Sequence, residues 1–275
     1  MFQKSMFFPL LLFATIVAVS AETKLVWEEN FDGDSLDRSK FTCETGTGKE
    51  GWGNKELQYY TDRTQNARVE NGHLIIEARR ENYGGSDFTS ARIITKGLME
   101  FKYGTLEARI KIPSQTKGLW PAFGVIGANM GEVKWPDCGH IVILEAGSAE
   151  AIAENAVNKK IGGAAHWENK EMYNTVYKAD EDLTADFHTY TLKWNEKFMS
   201  ASIDGKKEYF KMDIPSHFKI FQKPFFVILT LAVGGKYPNI TESSGIDANF
   251  PAYMEIDYIK LYQSPGNELH VKGQK

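Results

Sequence analysis

Cysteine is scarce in this chain. The 275 residues contain two, Cys43 and Cys138. Two cysteines cannot form the disulfide framework that holds many small secreted domains together, so the fold has to depend on a hydrophobic core. Their spacing leaves two alternatives open: a single bridge between Cys43 and Cys138, or two buried thiols.

Long apolar runs are also scarce. Residues 6–19 form one, which follows Lys4, is too short to span a bilayer and precedes two small residues. This pattern predicts a secretory signal peptide over residues 1–21, with an uncleaved N-terminal anchor as the alternative. No later run reaches the roughly 18 residues that a membrane span needs. We therefore expect a secreted, extracellular protein without a membrane span, in which the sequon Asn239-Ile240-Thr241 is a candidate for glycosylation.

The chain has no concentration of charge of one sign. Its formal net charge is −4, and its basic residues are scattered rather than gathered in a stripe, which excludes nucleic acid as the expected partner. The six histidines are also dispersed, and none stands at ligand spacing from a cysteine or another histidine. The sequence therefore predicts no transition-metal site.

Helical periodicity is sparse, and its best candidate is a short piece near residues 179–185. Alternation dominates instead. In GTLEARIKI (104–112), every second side chain is apolar, which is typical of a strand with one buried face. In SIDGKK, Asp204-Gly205 predicts a hairpin turn.

Many short strands separated by turn residues predict an all-β fold, a sandwich or jelly roll whose two sheets bury their facing sides. We see no internal repeat and no linker, so residues 22–263 are expected to form one domain. Residues 264–275 are expected to form a polar C-terminal tail.

Three tryptophans, Trp52, Trp120 and Trp135, stand beside polar residues in segments that contain glycine. A sugar packs its C–H face on an aromatic ring while its hydroxyl groups need amide and carboxylate partners, so these tryptophans are candidates for a carbohydrate platform. Ordinary core packing is the alternative for each of them.

Five segments, in order along residues 25–263, resemble glycoside hydrolase family 16, in particular its laminarinase branch of secreted endo-β-1,3-glucanases and the related β-glucan-recognition proteins. The segments are WGNKELQYYT (52–61), LEARIKIPSQTKGLWPAFGVIG (106–127), DFHTYTLKWNEKFMSASIDG (186–205), PFFVILTLAVGGKYPN (224–239) and FPAYMEIDYIKLYQ (250–263). The resemblance implies a jelly roll of two packed antiparallel sheets with a concave, glycan-binding cleft. We expect a monomer whose partner is a polysaccharide, β-1,3-glucan or a related one.

The active strand of that family reads WP, two variable residues, GEIDI, one more residue and Glu; here the same place reads WPDCGHIVILE (135–145). By resemblance, His140 replaces the nucleophile, Val142 replaces the assisting Asp, and Glu145 keeps the position of the general acid/base. Alternation puts His140 and Val142 on one strand face, and Glu145 joins them only if a β-bulge takes up a residue. Gly124 replaces a tryptophan that in the family lines the sugar.

These replacements predict a protein that hydrolyses β-glucan poorly or not at all. A retaining glycosidase needs two carboxyl groups about 5–5.5 Å apart, one of which attacks the sugar. Histidine in that place would have to form an unstable glycosyl-imidazolium, and it supplies no negative charge to an oxocarbenium-like transition state. Two nearby carboxylates, Glu132 and Asp137, are expected to be solvated surface groups.

By position, six residues match sugar-contacting or cleft-framing residues of the family: Asn54, Glu56, Arg92, Trp120, Trp135 and His166. For Arg92 the alternative is a surface salt bridge, and for the tryptophans it is sheet packing. No cofactor is required. The resemblance also implies a possible structural calcium near Asn30, Gly72 and Asp257, although Asn30 stands where an acidic residue is usual.

Three functions stay open at this point. The first is a catalytically impaired protein, a pseudoenzyme, that binds β-1,3-glucan or a related polysaccharide. The second is an active endo-β-1,3-glucanase with an atypical site. The third is a decoy or interaction protein without affinity for glycans.

Overall fold

The computed structural model describes residues 22–114 and 117–273. The predicted signal peptide over residues 1–21 lies outside this part of the chain. Within it, no helix is both long and apolar enough to cross a membrane.

One sheet has ten strands. They are β1 (Lys24–Glu29), β3 (Gln58–Tyr60), β4 (Ala67–Glu70), β5 (His73–Tyr83), β6 (Ser86–Ser90), β9 (Gly104–Lys111), β14 (His188–Trp194), β15 (Phe198–Ile203), β16 (Lys207–Asp213) and β18 (Ala252–Gln263). The main path runs β16-β15-β14-β9-β18-β5-β6-β3, with β1 beside β18 and β4 beside β5. All of its strand pairs are antiparallel except β3 with β6.

The second sheet has nine strands and is antiparallel throughout. They are β2 (Thr42–Glu44), β7 (Arg92–Ile94), β8 (Met99–Lys102), β10 (Leu119–Gly127), β11 (His140–Ala146), β12 (Lys160–His166), β13 (Met172–Lys178), β17 (Phe225–Val233) and β19 (Glu268–Val271). The path runs β13-β12-β11-β10-β17-β7-β2, and β8 joins β17 to β19. The two sheets form the jelly-roll sandwich that the sequence predicted.

The core lies between the sheets and is rich in aromatic rings. Trp194 of the ten-stranded sheet meets Phe225 of the nine-stranded sheet, with ring centroids 5.1 Å apart, and Phe101 at 5.8 Å. Strand β9 confirms the predicted alternation, because Leu106, Ala108 and Ile110 are buried and their neighbours are partly exposed. Each fully buried large apolar side chain contributes roughly 1.5–3 kcal/mol to folding.

Two local predictions have opposite outcomes. Asp204 and Gly205 form the hairpin turn between β15 and β16, with left-handed φ angles of 52° and 63°. The prediction of a helix near residues 179–185 is wrong, because the backbone N–H groups of Ala179 and Leu183 bond across to the carbonyl groups of Lys159 and Asn158. Helix α1 (Ala149–Ala153) forms instead, after the N-cap Ser148.

Two further features concern the chain end and the cysteines. Residues 264–275 were expected to form a polar tail, yet Glu268–Val271 forms β19 and pairs with β8. Cys43 and Cys138 are free and buried, so the structure selects the second of the two alternatives. Asn239 of the sequon is exposed in a turn.

Candidate functional site

A β-bulge brings the three candidate catalytic positions to one face of β11. Val142 pairs with Ala164 of β12 and Glu145 with Gly162, so the two residues between them oppose a single residue of β12. Ile143 and Leu144 both point into the core, where each is fully buried. His140, Val142 and Glu145 therefore share the face of the nine-stranded sheet that is turned away from the core, here called the outer face. The structure thus contains the β-bulge that Glu145 needs in order to share a face with His140 and Val142.

The other sheet holds the bulge in place. Ile143 has no partner on β10, because Phe123 pairs with Leu144 and Gly124 with Val142. The phenol of Tyr209, on β16, donates a hydrogen bond to the Ile143 carbonyl group. A buried carbonyl that the ladder leaves unpaired costs free energy, and this bond removes that cost.

Glu145 is the one acidic group among the three candidate catalytic positions, and its environment favours the protonated form. Its Oε1 accepts a hydrogen bond of 2.9 Å from Nε1 of Trp120. Burial raises the pKa of Glu145 to about 7, against the opposing effect of that hydrogen bond. The indole of Trp120 is itself stacked on Tyr237, with ring centroids 5.2 Å apart. A carboxyl group with this pKa can donate a proton near neutral pH.

His140 lies beside two other rings. Its imidazole stacks on His166 with centroids 5.6 Å apart, and Nε1 of Trp135 donates a long hydrogen bond of 3.5 Å to its Nδ1. Burial, with smaller effects from His166 and Arg92, holds the pKa of His140 well below its usual range. The pKa of His166 is lowered by burial as well. Both imidazoles are therefore neutral at neutral pH.

Val142 adds nothing polar to the site. Its side chain is 3% exposed and stands between Gly124 and Ala164 on the neighbouring strands. A Cβ on Gly124 would lie 2.5 Å from the Ile141 carbonyl oxygen, so this strand pairing has no room for any side chain there. Gly124, where the resemblance implies a tryptophan in the family, is thus approached closely by the β11 backbone. Glu132 and Asp137 are exposed, as predicted.

Arg92 lies on β7, away from the motif, and is held from two sides. Its Nε donates to Oε2 of Glu44 at 2.5 Å, and its guanidinium lies 4.7 Å from the ring centroid of Trp52. Trp52 in turn packs against Tyr60. The salt bridge weighed as the alternative for Arg92 is present, and the same arginine fixes the orientation of an aromatic ring.

Glu56 is the centre of a closed hydrogen-bond network rather than a free group. Its carboxylate accepts bonds from Asn54 (3.0 Å), Gln58 (2.8 Å) and Tyr60 (3.0 Å). Gly235 brings this network next to Trp120, because a Cβ there would lie 3.0 Å from the Asn54 carbonyl and 3.2 Å from the Trp120 ring. Asn54 and Glu56 therefore shape the loop beside Trp120.

Three residues with roles in the site escaped the sequence analysis: Glu44, Tyr209 and Tyr237. Tyr237 stands in the segment that resembles the family, and a tyrosine after a Gly-Gly turn was a usable signal. Glu44 and Tyr209 are separated from their partners by 48 and 66 residues. No sequence signal pointed to either of them.

The residues proposed for calcium fit that ion poorly. Oδ2 of Asp257 accepts a bond of 2.6 Å from Arg109, and its Oδ1 lies 3.8 Å from Nε2 of His73. Asn30 and Gly72 offer only neutral oxygens, so a guanidinium competes for the one carboxylate. Within residues 22–114 and 117–273, no group of three His, Cys, Asp or Glu side chains could hold a metal. Calcium binding stays a prediction.

The fold and the outer face together define a class of protein. It is a jelly-roll sandwich whose nine-stranded sheet carries Glu145, a carboxyl group that can be protonated near neutral pH, among tryptophans and histidines on its outer face. Residues 54–260 match the family described as glycosyl hydrolases family 16. The chain belongs to this family.

The relatives include enzymes and binding proteins. The chain is 37% identical over 245 residues to the clotting factor G alpha subunit of Tachypleus tridentatus, which covers 87% of this chain and 34% of that protein. It is 34% identical over 254 residues to a beta-glucanase of Rhodothermus marinus, covering 87% and 85%. It is 29% identical over 174 residues to a beta-1,3-glucan-binding protein of Penaeus monodon, covering 54% and 47%. The chain thus spans about a third of the first relative and about half of the third.

Solved structures agree with this family assignment. The laminarinase catalytic domain from Thermotoga maritima superposes with a TM-score of 0.76 at 36% identity, and the match covers 88% of this chain and 99% of that one. The predicted family and jelly-roll fold are confirmed.

Proposed function

We propose that this chain is a secreted, catalytically impaired member of its family that binds β-1,3-glucan or a related polysaccharide on the outer face. The main support for the proposal is that a protonatable Glu145 and a neutral His140 lie on the same face of β11. One group can donate a proton to a leaving oxygen, but none can attack the sugar as a carboxylate. Bond cleavage at a retaining site needs both.

The electrostatics of the two groups support an impaired site. Among the described residues, burial lowers the pKa of His140 with smaller effects from His166 and Arg92, and burial raises the pKa of Glu145. An oxocarbenium-like transition state carries developing positive charge, which a neutral imidazole does not stabilise. General acid catalysis by Glu145 alone supplies about 10²–10⁴-fold, which falls far short of glycosidase rates.

Binding is supported by rings at three places on the outer face. Trp120 is held by Glu145 and Tyr237, Trp52 is held by Arg92, and Trp135 is 47% exposed. Rings that are fixed in orientation bind sugars with little loss of side-chain entropy. Relatives of this chain carry the names beta-glucanase and beta-1,3-glucan-binding protein, which indicates the class of ligand.

Calorimetric titration of the mature protein with laminarin oligosaccharides tests this function. We expect saturable heat, no new reducing ends, and weaker binding in Trp135→Ala. The matched control is Tyr253→Ala, which removes an exposed aromatic side chain from the ten-stranded sheet and should bind like the wild type. Absence of binding over several temperatures would overturn the proposal in favour of a decoy or interaction protein.

The pKa of Glu145 favours one second candidate, an active endo-β-1,3-glucanase with an atypical site. This alternative requires new reducing ends from laminarin that disappear in Glu145→Gln. The same titrations reveal it, because turnover gives sustained heat.

Secretion rests on the sequence of residues 1–21 and is part of the proposal. Expression of the full chain in a secreting host should deliver a protein whose N-terminus lies at or near Glu22. Retention of residues 1–21 on a membrane-bound product would contradict it.

A further inference from the structure

Three rings form a ladder on the outer face between β11, β12 and the loop before β11. Trp135 lies 5.5 Å from His166, and His166 lies 5.6 Å from His140, measured between ring centroids. The two histidines pair directly across the strands, so the sheet fixes their spacing. Trp135 is the outermost ring, while His140 and His166 are partly exposed beneath it. The ladder therefore presents a fixed pair of imidazoles to a ligand on the outer face.

Most polar atoms of this pair are available to a ligand. Trp135 donates to Nδ1 of His140, which leaves the proton of the neutral ring on Nε2. In the described part of the chain, neither Nε2 of His140 nor a ring nitrogen of His166 has a protein hydrogen-bond partner. Half-buried donors and acceptors of this kind are hydrogen-bonded in most proteins, by water or by a ligand.

The groups around the pair do not repel an anion. Among the described residues, those that act on the charge of His140 are His166, from β12, which is neutral at neutral pH, and Arg92, from β7, which is paired with Glu44. The neighbouring side chains of β10 and β11, Ile126 and Val142, are apolar. Lys134 and Asp137, of opposite sign, are exposed in the preceding loop. Glu145, on the same strand, is the one carboxyl group among the three candidate catalytic positions.

His140 and Val142 therefore reverse the ligand charge that these two positions would favour, compared with the family. By resemblance, both positions carry carboxylates in the family, and these would repel an anionic sugar. Here one position offers an N–H donor, at Nε2 of His140, and the other is apolar. A charge-assisted hydrogen bond from an imidazole to an anion is roughly twice as strong as a bond between neutral groups.

We propose that the polysaccharide bound by this chain carries an anionic group, a carboxylate or a sulfate, on the sugar that contacts His140 and His166. This inference rests on the proposed function and names the chemical class of its ligand. The anion accepts hydrogen bonds from both imidazoles, and Trp135 packs on the face of the same or the next sugar.

Two polymers with one backbone provide the test: laminarin, and laminarin oxidised at C6 to a carboxylate. Calorimetry at pH 6 and low salt should show the oxidised polymer binding about tenfold more tightly, the gain expected from a charge-assisted contact. Inorganic sulfate alone should give no saturable heat, because the polymer backbone supplies the remaining contacts.

Variants test whether His140 and His166 cause the preference for the oxidised polymer. In His140→Gln and in His166→Gln, the ratio of the two affinities should fall to about twofold or less. The control His217→Gln changes an exposed histidine that packs on Phe218, and it should keep the wild-type ratio. The wild-type ratio should also fall as the pH rises from 5.5 to 8, because a bound anion favours imidazolium and because Glu145 ionises.

The outcomes separate this inference from the proposed function. Laminarin that binds as tightly as its oxidised form would overturn the inference and leave the function standing. Failure of both polymers to bind would overturn both. Tight binding of inorganic sulfate by itself would show a site for small anions and refute the assignment to a polysaccharide.

Discussion

The two sides of the outer face differ in how fully their polar groups are bonded within the protein. On the side of β2 and β7, Arg92 is paired with Glu44, and Glu56 accepts three hydrogen bonds. On the side of β11 and β12, His140 has one long bond and His166 has none to protein in the described chain. We call these the closed side (Glu44, Asn54, Glu56, Arg92) and the open side (Trp135, His140, His166).

This difference indicates which side is expected to form hydrogen bonds with a ligand. Groups that are hydrogen-bonded to each other gain little further free energy from a ligand. The closed side therefore fixes the shape of the surface rather than the affinity for a ligand. Groups without partners gain a hydrogen bond when a ligand arrives, so the open side supplies affinity and specificity. The two positions where the resemblance implies carboxylates in the family, His140 and Val142, both lie on β11, and His140 belongs to the open side.

The largest expected effect comes from placing on β11 the carboxylates that the resemblance implies for the family. In the double variant His140→Glu, Val142→Asp, we expect hydrolysis of laminarin to rise by ~10³-fold or more, because the bulge already places Glu145 on the same face. Reducing-end assays measure the gain. Adding Glu145→Gln should abolish it, and an unchanged rate in the double variant would show that the geometry as well as the residue types has been lost.

The next effect concerns Glu145 and pH. Its pKa is raised to about 7, above the unfolded value, so the folded state holds a proton that the unfolded chain releases. Stability is therefore lost as the pH rises from about 4.5 to about 7, by at most about 3 kcal/mol. Glu145→Gln should be more stable than wild type at pH 8 and equal to it at pH 4. Chemical denaturation at both values measures this, and equal stabilities at pH 8 would refute it.

A smaller effect is expected on the closed side. Glu56→Gln replaces one acceptor oxygen by an NH2 group beside donors, and should lower the free energy of unfolding by about 1–2 kcal/mol. Urea denaturation measures the loss. Glu50→Gln, an exposed change in the same loop, is the matched control. A loss of stability in His166→Gln as large as that in Glu56→Gln would remove the distinction between the two sides.

The smallest effect is expected from calcium, whose candidate residues lie outside both sides. Because Arg109 already binds Asp257, excess calcium or a chelator should move the melting temperature by less than ~2 °C. A larger shift, abolished in Asp257→Asn, would show that calcium displaces the arginine and would restore the site implied by the family.

Local patterns predicted much of the fold. The alternation in β9 and the Asp204-Gly205 turn depend on neighbours in sequence, and both are confirmed. Alternation and the resemblance together made the bulge the condition for Glu145 to share the face of His140 and Val142, and the structure contains it. The helix near residues 179–185 failed because its backbone bonds go to a distant loop, which overrides local propensity.

For the site, the sequence by itself determined which chemical groups are present: one carboxyl group, Glu145, where three are expected by resemblance, with His140 and Val142 in place of the others. Residue identity fixes the available nucleophiles and acids. Only the tertiary structure decided their states and partners. Burial raises the pKa of Glu145 against the opposing effect of the Trp120 hydrogen bond, β12 brings His166 to His140, and β2 brings Glu44 to Arg92. Solvent exclusion and contacts between strands distant in sequence exist only after the sheets have packed.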